Sequence, residues 1–330
     1  MLLSRKTLQR ILGALWLIDG LLQLQPLMFT GNMINSIMRP MLDGQPGFIE
    51  PSLQYIVTQT TNNLAAVNIL IAVVQILLGL GFLLLSGRWV KDLVIASIVW
   101  AVIVWYGGEG MSMLLTGQAS ILTGAPGAVL LYPLLGFVVY PRKKSDTRAE
   151  GAERKAGDDG LLSRRLLRYI LAGFWFFAAL LQLQPFWWQP GHISEAIGAM
   201  VGQGGLNTVL VDPILQQISN ATANIEIPLN IVLIVVFLAL GISLAVVKEN
   251  QLRPFLIASI VVSVIFWYFS QALGMIFTGM STDFNSGLLI VVMALACWPK
   301  ARAYTLRTSA RAQIARELRE TEESGTKQHA

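Results

Sequence analysis

Charged residues and cysteine are scarce in this chain of 330 residues. Only 13% of the residues are charged, against about 25% in soluble domains, while 54% are hydrophobic. The single cysteine, Cys297, excludes an intrachain disulfide and a metal site built from several thiolates. The sequence also lacks paired haem ligands and a flavin or nucleotide fingerprint, which argues against an independent redox enzyme. Its basic residues are not interleaved with aromatic ones, so we expect no nucleic-acid binding. This composition indicates a membrane protein.

Eight apolar segments are candidates for crossing the hydrocarbon layer, which requires about 20 residues per helix. They comprise residues 11–29, 64–85, 93–114, 125–140, 167–188, 227–247, 254–276 and 285–298. The fourth and eighth segments are short, so half-insertion is the alternative for these two. The fold class predicted is all-α, a polytopic protein with about eight transmembrane helices.

The basic residues predict the orientation, because lysine and arginine are retained on the cytoplasmic side during insertion. In the eight-span arrangement, every lysine and arginine except Arg39 falls on one side of the membrane. We therefore expect a multi-pass protein of the plasma membrane with both termini in the cytoplasm. The formal net charge of +5 adds attraction to anionic lipid headgroups.

An internal repeat divides the chain into two halves. The hexapeptide LLQLQP occurs at 21–26 and at 180–185, and IASIVWAVIVWY from Ile95 matches IASIVVSVIFWY from Ile257. Four spans per copy let both copies enter the membrane in the same direction, which predicts a parallel repeat of two four-helix bundles.

The repeat also predicts the domain limits. These are a first four-span repeat at 1–140, a cytoplasmic linker at 141–165, a second repeat at 166–299 and a cytoplasmic tail at 300–330. The polar excursions at roughly 30–62 and 189–225 are too long for simple turns, and we expect interfacial helices in both.

Two carboxylates, Asp19 and Glu109, lie inside the predicted spans, and no basic residue lies at their depth. An ionised aspartate at mid-helix costs about 2.5 to 3.5 kcal/mol, so each acid must be protonated or must face water or a cation. The second half has Ala178 and Gln271 at the matching positions. Our hypothesis is that the first half carries the site and the second half supports it.

Amide side chains complete the candidate polar cavity. Its predicted members beside the two acids are Gln23, Gln25, Gln182, Gln184, Asn68 and Asn230. The alternative for the glutamines is purely structural, because Pro26 and Pro185 end or kink their helices and release backbone carbonyls that amides can satisfy.

The glycine-rich segment 116–127 is a second candidate site, because its backbone N–H groups and the following helix start could hold an anion. The residues that would form it are Thr116, Gly117, Thr123, Gly124 and Gly127. A plain turn without a ligand is the favoured interpretation. Methionine thioethers suit Cu(I), but His192 is the only nearby imidazole, so we expect the methionines to fill apolar faces and not to hold copper.

The stretch QILLGLGFLLLSGRWVKDLVIAS, residues 75–97, resembles the DoxX/DoxD group of four-span prokaryotic membrane proteins. That group shows a glycine-containing apolar helix, a short turn with arginine and another apolar helix. The resemblance implies association with a quinone-linked oxidoreductase whose membrane subunit contacts quinone.

Three functions remain open from the sequence. The first is binding or transport of a small solute or ion through an outward-facing polar cavity, with protonation of Asp19 and Glu109 as the coupling event. The second is a quinone-binding subunit of a redox complex, with quinone as its cofactor. The third is a structural scaffold in the bilayer, and self-association between copies is open in all three.

Overall fold

A computed structural model describes residues 3–141 and 162–299, and all the regular structure within these ranges is helical. The predicted tail and nearly all of the linker lie outside the described residues. Twelve α-helices are described, joined by short 3₁₀ and π-helical turns: α1 (Arg5–Leu22), α2 (Glu50–Asn62), α3 (Leu64–Leu84), α4 (Trp89–Gly107), α5 (Ala128–Val139), α6 (Arg164–Gln182), α7 (His192–Gly198), α8 (Asn207–Leu210), α9 (Asp212–Thr222), α10 (Glu226–Val246), α11 (Leu252–Phe269) and α12 (Asn285–Ala296).

Five segments are long and apolar enough to cross a membrane, namely α3, α4, α6, α10 and α11 with the turn that precedes it. Their outward faces carry large apolar side chains that only lipid would cover favourably. Examples are Leu70 and Leu77 on α3, Ile103 on α4, Val235 on α10 and Val261 on α11. These helices indicate a membrane-embedded protein.

The other three predicted spans differ from the five. α1 has 18 residues but includes Arg5, Lys6, Arg10 and Asp19, so its average hydropathy is low. α5 and α12 have only 12 residues each, a length of about 18 Å at 1.5 Å per residue. Neither helix reaches across a layer of about 30 Å by itself.

Four predicted spans, the first, third, fifth and seventh, end earlier than expected. The fifth ends at Gln182 instead of residue 188, and the seventh ends at Phe269 instead of residue 276. The first was predicted to reach residue 29, but α1 stops at Leu22 and Pro26 begins a 3₁₀ turn, since proline cannot continue the ladder of hydrogen bonds. The third was predicted to reach residue 114, but α4 ends at Gly107. Glu109 therefore lies outside the helix. It is followed by a turn in which Met111 and Ser112 both have positive φ.

The polar excursions are helical, as the apolar spacing indicated. A π-helical turn at Met33–Met38 precedes α2 in the first excursion, and α7, α8 and α9 occupy the second. Their buried methionines and isoleucines pack against neighbouring helices, so these segments cover one end of the longer helices.

Glycine allows the closest helix contact in the first half, between α1 and α3. A Cβ at Gly79 would collide with the backbone nitrogen of Leu17 and lie 2.7 Å from its Cα. The corresponding pair in the second half is α6 with α10, where a Cβ at Gly241 would lie 3.1 Å from the ring of Phe176. Small residues let helix backbones approach each other in lipid, where no hydrophobic effect drives helices together.

Matching hydrogen bonds recur in the two halves. The Trp16 indole donates to the Ser97 hydroxyl at 3.0 Å, and Trp175 donates to Ser259 at the same distance. Asn68 donates to the carbonyl of Gln23 at 2.7 Å, and Asn230 donates to that of Gln182 at 3.1 Å. Each pair of donors occupies equivalent positions in the aligned sequences.

Candidate functional site

The first half encloses a cavity of about 600 Å³, which we call the inner cavity. α1, α3, α4 and α5 contribute to its wall together with the segment before α12, and most of the lining side chains are apolar. The polar and aromatic lining residues are few: Trp16, Asp19, Gln23, Thr60, Gln75, Trp100, Tyr106, Glu109, Tyr132, Thr282 and Asp283. An apolar pocket with few convergent polar groups is the usual form of a small-molecule site.

Asp19 lies on the face of α1 that lines the inner cavity. The side chain is only 2% exposed, and its Oδ2 accepts a hydrogen bond of 2.5 Å from the hydroxyl of Tyr132 on α5. Its other oxygen, Oδ1, is buried and has no hydrogen-bond partner. Burying an unpaired carboxylate oxygen is costly, so this atom is available to a ligand or a proton.

Neighbouring aromatic residues fix the position of Tyr132. Its ring lies 4.5 Å from that of Trp16, centroid to centroid, and the Trp16 indole is itself anchored on Ser97. The hydroxyl of Tyr132 is therefore held in place before any ligand arrives, and one oxygen of Asp19 is held with it.

Replacing Tyr132 with phenylalanine is expected to lower the free energy of unfolding by about 1 to 3 kcal/mol, because it leaves a buried acceptor of Asp19 unpaired. Denaturant titration of the purified variant measures this change. The matched control is Tyr106→Phe, whose hydroxyl bonds to Ser52 at an exposed position and should matter by less than about 0.5 kcal/mol. Equal losses in the two variants would show that the buried Asp19–Tyr132 pair has no special role.

Further unpaired polar atoms surround the same space. The Oε1 atoms of Gln23 and Gln75 are buried without partners, as is the Trp100 indole nitrogen. With Asp19 Oδ1, the inner cavity thus presents three unpaired acceptors and one unpaired donor. A ligand that donates hydrogen bonds would satisfy most of these atoms.

Glu109 lies just beyond the end of α4, outside the membrane-spanning segment. Its Oε1 accepts from the backbone N–H of Val129, and its Oε2 accepts from the hydroxyl of Ser112, both at 3.2 Å. The pKa of Glu109 is raised from 4.5 to about 8, mainly by burial and secondly by the nearby charge of Asp283, and the two hydrogen bonds only partly oppose these effects. The acid is therefore protonated over much of the physiological range.

Asp283 is a member of the site that sequence reasoning missed. It precedes α12 in the second half, where its Oδ1 accepts from the N–H of Asn285 at 2.5 Å and its Oδ2 from the hydroxyl of Thr282 at 3.0 Å. Burial raises the pKa of Asp283 despite these bonds. The sequence feature that could have indicated Asp283 is its place as the one acid in the polar segment TGMSTDFNSG, which lies between two apolar segments.

A second space of about 410 Å³, the outer cavity, adjoins the inner cavity. Both are lined by Glu109 and Asp283, so this pair of acids lies where the two cavities meet. The outer cavity is also lined by five methionines: Met41, Met113, Met200, Met275 and Met280. Among the lining residues that the structure describes, neither cavity has a lysine, arginine or histidine.

The structure brings together three of the eight predicted cavity residues, since Asp19, Gln23 and Glu109 all line the inner cavity. Asn68 and Asn230 instead bond to backbone carbonyls where α1 and α6 end. The Oε1 of Gln25 is buried and unpaired, but this residue does not line the inner cavity.

Two other predicted cavity residues, Gln182 and Gln184, hold the glycine-rich segment 116–127. Gln182 donates to the Ser120 hydroxyl at 2.5 Å, and Gln184 donates to the carbonyl of Ala119 at 3.1 Å. Gln271 adds a bond of 2.9 Å to the carbonyl of Ile121. These amides of the second half position a loop of the first half.

The predicted loop residues divide between turns and the outer cavity. The Thr116 hydroxyl donates to the carbonyl of Met113 and that of Thr123 to Ser120, so both threonines close local turns. Thr123, Gly124 and Gly127 also line the outer cavity, whereas Thr116 and Gly117 do not. Gly127 has φ of +115°, and a Cβ there would lie 2.6 Å from the Ser112 hydroxyl that bonds to Glu109.

The matching space in the second half is filled by side chains. In the alignment that pairs Asn68 with Asn230, Gln75 corresponds to Phe237. Phe237 is fully buried, with its ring 5.5 Å from that of Trp175 and 5.3 Å from that of Phe266. The two halves thus differ at this place: the first has an amide at the wall of a cavity, and the second has a packed aromatic cluster.

Comparison of the chain with protein-family models, curated proteins and solved structures gave no match. The described residues contain no group of three or more His, Cys, Asp or Glu side chains placed to hold a metal ion.

Proposed function

We propose that this protein binds a small solute in the inner cavity and moves it through the membrane, with protonation of Asp19 and Glu109 as the coupling event. The observation that carries the proposal is the unpaired Oδ1 of Asp19, buried in the wall of the cavity. Leaving this atom unsatisfied costs about 1 to 3 kcal/mol or more, and among the buried unpaired atoms it is the carboxylate oxygen of a residue that lines the cavity. The size of the cavity lies within the usual range for small-molecule sites.

Coupling to protons follows from the position of the Glu109–Asp283 pair. Two nearby carboxyl groups repel each other when both are ionised, so ionisation of one raises the pKa of the other. Since both line the boundary between the inner and outer cavities, a change in protonation alters the contact between the two spaces.

The arrangement in the membrane belongs to the same proposal. Eight segments enter the bilayer as two parallel four-helix repeats, with both termini in the cytoplasm and the chain in the plasma membrane. The matching bonds of Trp16 and Trp175 and of Asn68 and Asn230 support the repeat. α5 and α12 are its shortest members.

Gln75→Phe tests the proposal, because it introduces the residue that fills the corresponding space of the second half. We expect a small molecule to co-purify with the wild-type protein and to be lost from this variant, at an unchanged melting temperature. Mass spectrometry of extracts from protein purified in native-membrane nanodiscs provides the measurement.

The matched control is Leu77→Phe, on the same helix but 62% exposed on its outer face. This variant should keep the ligand. Retention of the molecule by both variants would place its site elsewhere, and absence of any bound molecule from the wild type would favour the scaffold.

A second candidate is a quinone-binding subunit of a redox complex, as the DoxX/DoxD resemblance implies. The observation in its favour is that exposed, lipid-facing residues such as Leu70 and Ile103 also line the inner cavity, so a lipid-soluble molecule could reach it. An oxidised quinone, whose carbonyl oxygens only accept hydrogen bonds, would take its donors from the Trp100 indole and the amide N–H groups of Gln23 and Gln75. A quinone among the co-purifying molecules would decide for this alternative.

A further inference from the structure

We infer that the ligand of the inner cavity is an organic cation with an apolar body, which reaches the cavity from the lipid phase between α3 and α4. This inference rests on the proposed function and names the class of its solute. It is carried by the charge, the unpaired atoms and the lateral opening of the cavity.

The described side chains that line the inner cavity can carry negative charge but no positive charge. Asp19, Glu109 and Asp283 come from three separate segments and converge on the inner cavity, with no basic side chain among its described lining residues. In a space walled by apolar groups, a charge interacts more strongly than in water. Once one of these acids is ionised, a cationic ligand is favoured over a neutral one of the same shape, and an anion is repelled.

The unpaired atoms match the same class of ligand. Asp19 Oδ1, Gln23 Oε1 and Gln75 Oε1 are acceptors, and an amine or ammonium group supplies N–H donors or a positive charge to them. Four aromatic residues also line the space: Trp16, Trp100, Tyr106 and Tyr132. Aromatic faces attract organic cations through the ring quadrupole, so charged and uncharged lining groups favour the same partner.

The opening lies between two helices that face lipid. Leu70 on α3 is 58% exposed, and Val102 and Ile103 on α4 are 50% and 54% exposed, yet all three line the inner cavity. A residue can do both only at the rim of an opening. The apolar body of a lipid-soluble cation would leave the bilayer there while its charged group advances toward Asp19.

Cation and proton must compete in this site. The titratable groups that line the cavity are Asp19 on α1, Tyr106 on α4, Glu109 after α4, Tyr132 on α5 and Asp283 before α12. A carboxylate that gains a proton loses its attraction for a cation, and by linkage a bound cation favours release of that proton. Binding of the cation is therefore expected to weaken as the pH falls.

The test uses two ions of nearly the same shape and apolarity but opposite charge, tetraphenylphosphonium and tetraphenylborate. Purified protein in phosphatidylcholine nanodiscs, which carry no net lipid charge, is titrated by equilibrium dialysis against empty nanodiscs. We expect saturable binding of tetraphenylphosphonium, weaker by tenfold or more at pH 5 than at pH 9, and no saturable binding of tetraphenylborate.

Asp19→Asn keeps the size of the side chain and an acceptor for Tyr132, and should weaken binding of the phosphonium by about thirtyfold or more. Asp43→Asn, at an exposed position, should leave it unchanged. The pH dependence of the wild type tests the same point without any substitution, should Asp19→Asn fail to fold.

Equal saturable binding of both ions, or phosphonium binding that does not change with pH, would overturn the inference. If neither ion binds while a neutral molecule co-purifies and is lost in Gln75→Phe, the cation assignment is wrong and the proposed function stands. If Gln75→Phe loses no ligand of any kind, the proposed function itself fails.

Discussion

The stability of this protein is expected to fall as the pH rises from about 4.5 to about 8 and then to level off, with Glu109 as the main cause. The folded protein holds the proton of Glu109 up to about pH 8, whereas the carboxyl group has a pKa of 4.5 in the absence of the fold. The unfolded chain therefore binds fewer protons in this window, and stability decreases with pH. At about 1.4 kcal/mol per pH unit, the decrease amounts to about 3 to 5 kcal/mol.

Glu109→Gln removes the titrating group and should at least halve this decrease, leaving the part that Asp283 contributes. Melting temperatures of wild type and variant, measured from pH 5 to pH 9 in one detergent, give the comparison. The variant should be the less stable of the two at pH 5, where its amide cannot accept from both Val129 and Ser112, and the more stable at pH 9. Glu50→Gln, an exposed control, should follow the wild type throughout. A decrease of the same size in Glu109→Gln would rule out Glu109 as the cause.

Gly79→Ala is expected to be strongly destabilising, with a loss of about 3 kcal/mol. The new methyl group would overlap the backbone of Leu17, which cannot rotate away as a side chain can. α1 and α3 would have to separate, which disturbs the helix that bears Asp19. Thermal unfolding measures the loss, and tetraphenylphosphonium binding reports the disturbance at the cavity.

Two glycines provide graded controls for this effect. Gly241→Ala in the second half meets only the ring of Phe176, which can shift, so we expect a loss of about 1 kcal/mol or less. Gly173→Ala on α6 meets no atom within 4 Å and should cause no loss. Equal losses at Gly79 and Gly173 would contradict the role of the close α1–α3 contact.

The helices were predictable because their pattern is local. Each of the five helices long enough to span coincides with a predicted apolar segment, and the all-helical fold is confirmed. The ends of the helices were less predictable. For example, α4 ends at Gly107 and does not continue to residue 114. Its end depends on a turn with positive φ at Met111 and Ser112, which apolar composition does not reveal.

The site was predictable only in part. Asp19 and Glu109 were recognisable because an ionisable acid in an apolar segment is energetically costly and therefore indicates a functional site. Gln75 and Asp283 did not, since Gln75 is one amide within a long apolar helix and Asp283 lies in a polar segment of the other half. Their positions in the cavity depend on how distant helices pack, which neither spacing nor composition determines.

The position of Asp283 has a consequence for biosynthesis. The inner cavity is lined mainly by the helices α1 to α5 and the π-helical turn before α2, yet one of its three acids is supplied by a segment translated only after α11. The Ser120 and Ala119 contacts that order the loop of the first half likewise await Gln182 and Gln184. The amino-terminal half, although it holds Asp19 and Glu109, therefore emerges from the ribosome incomplete and acquires its full site only when the carboxy-terminal half has folded against it.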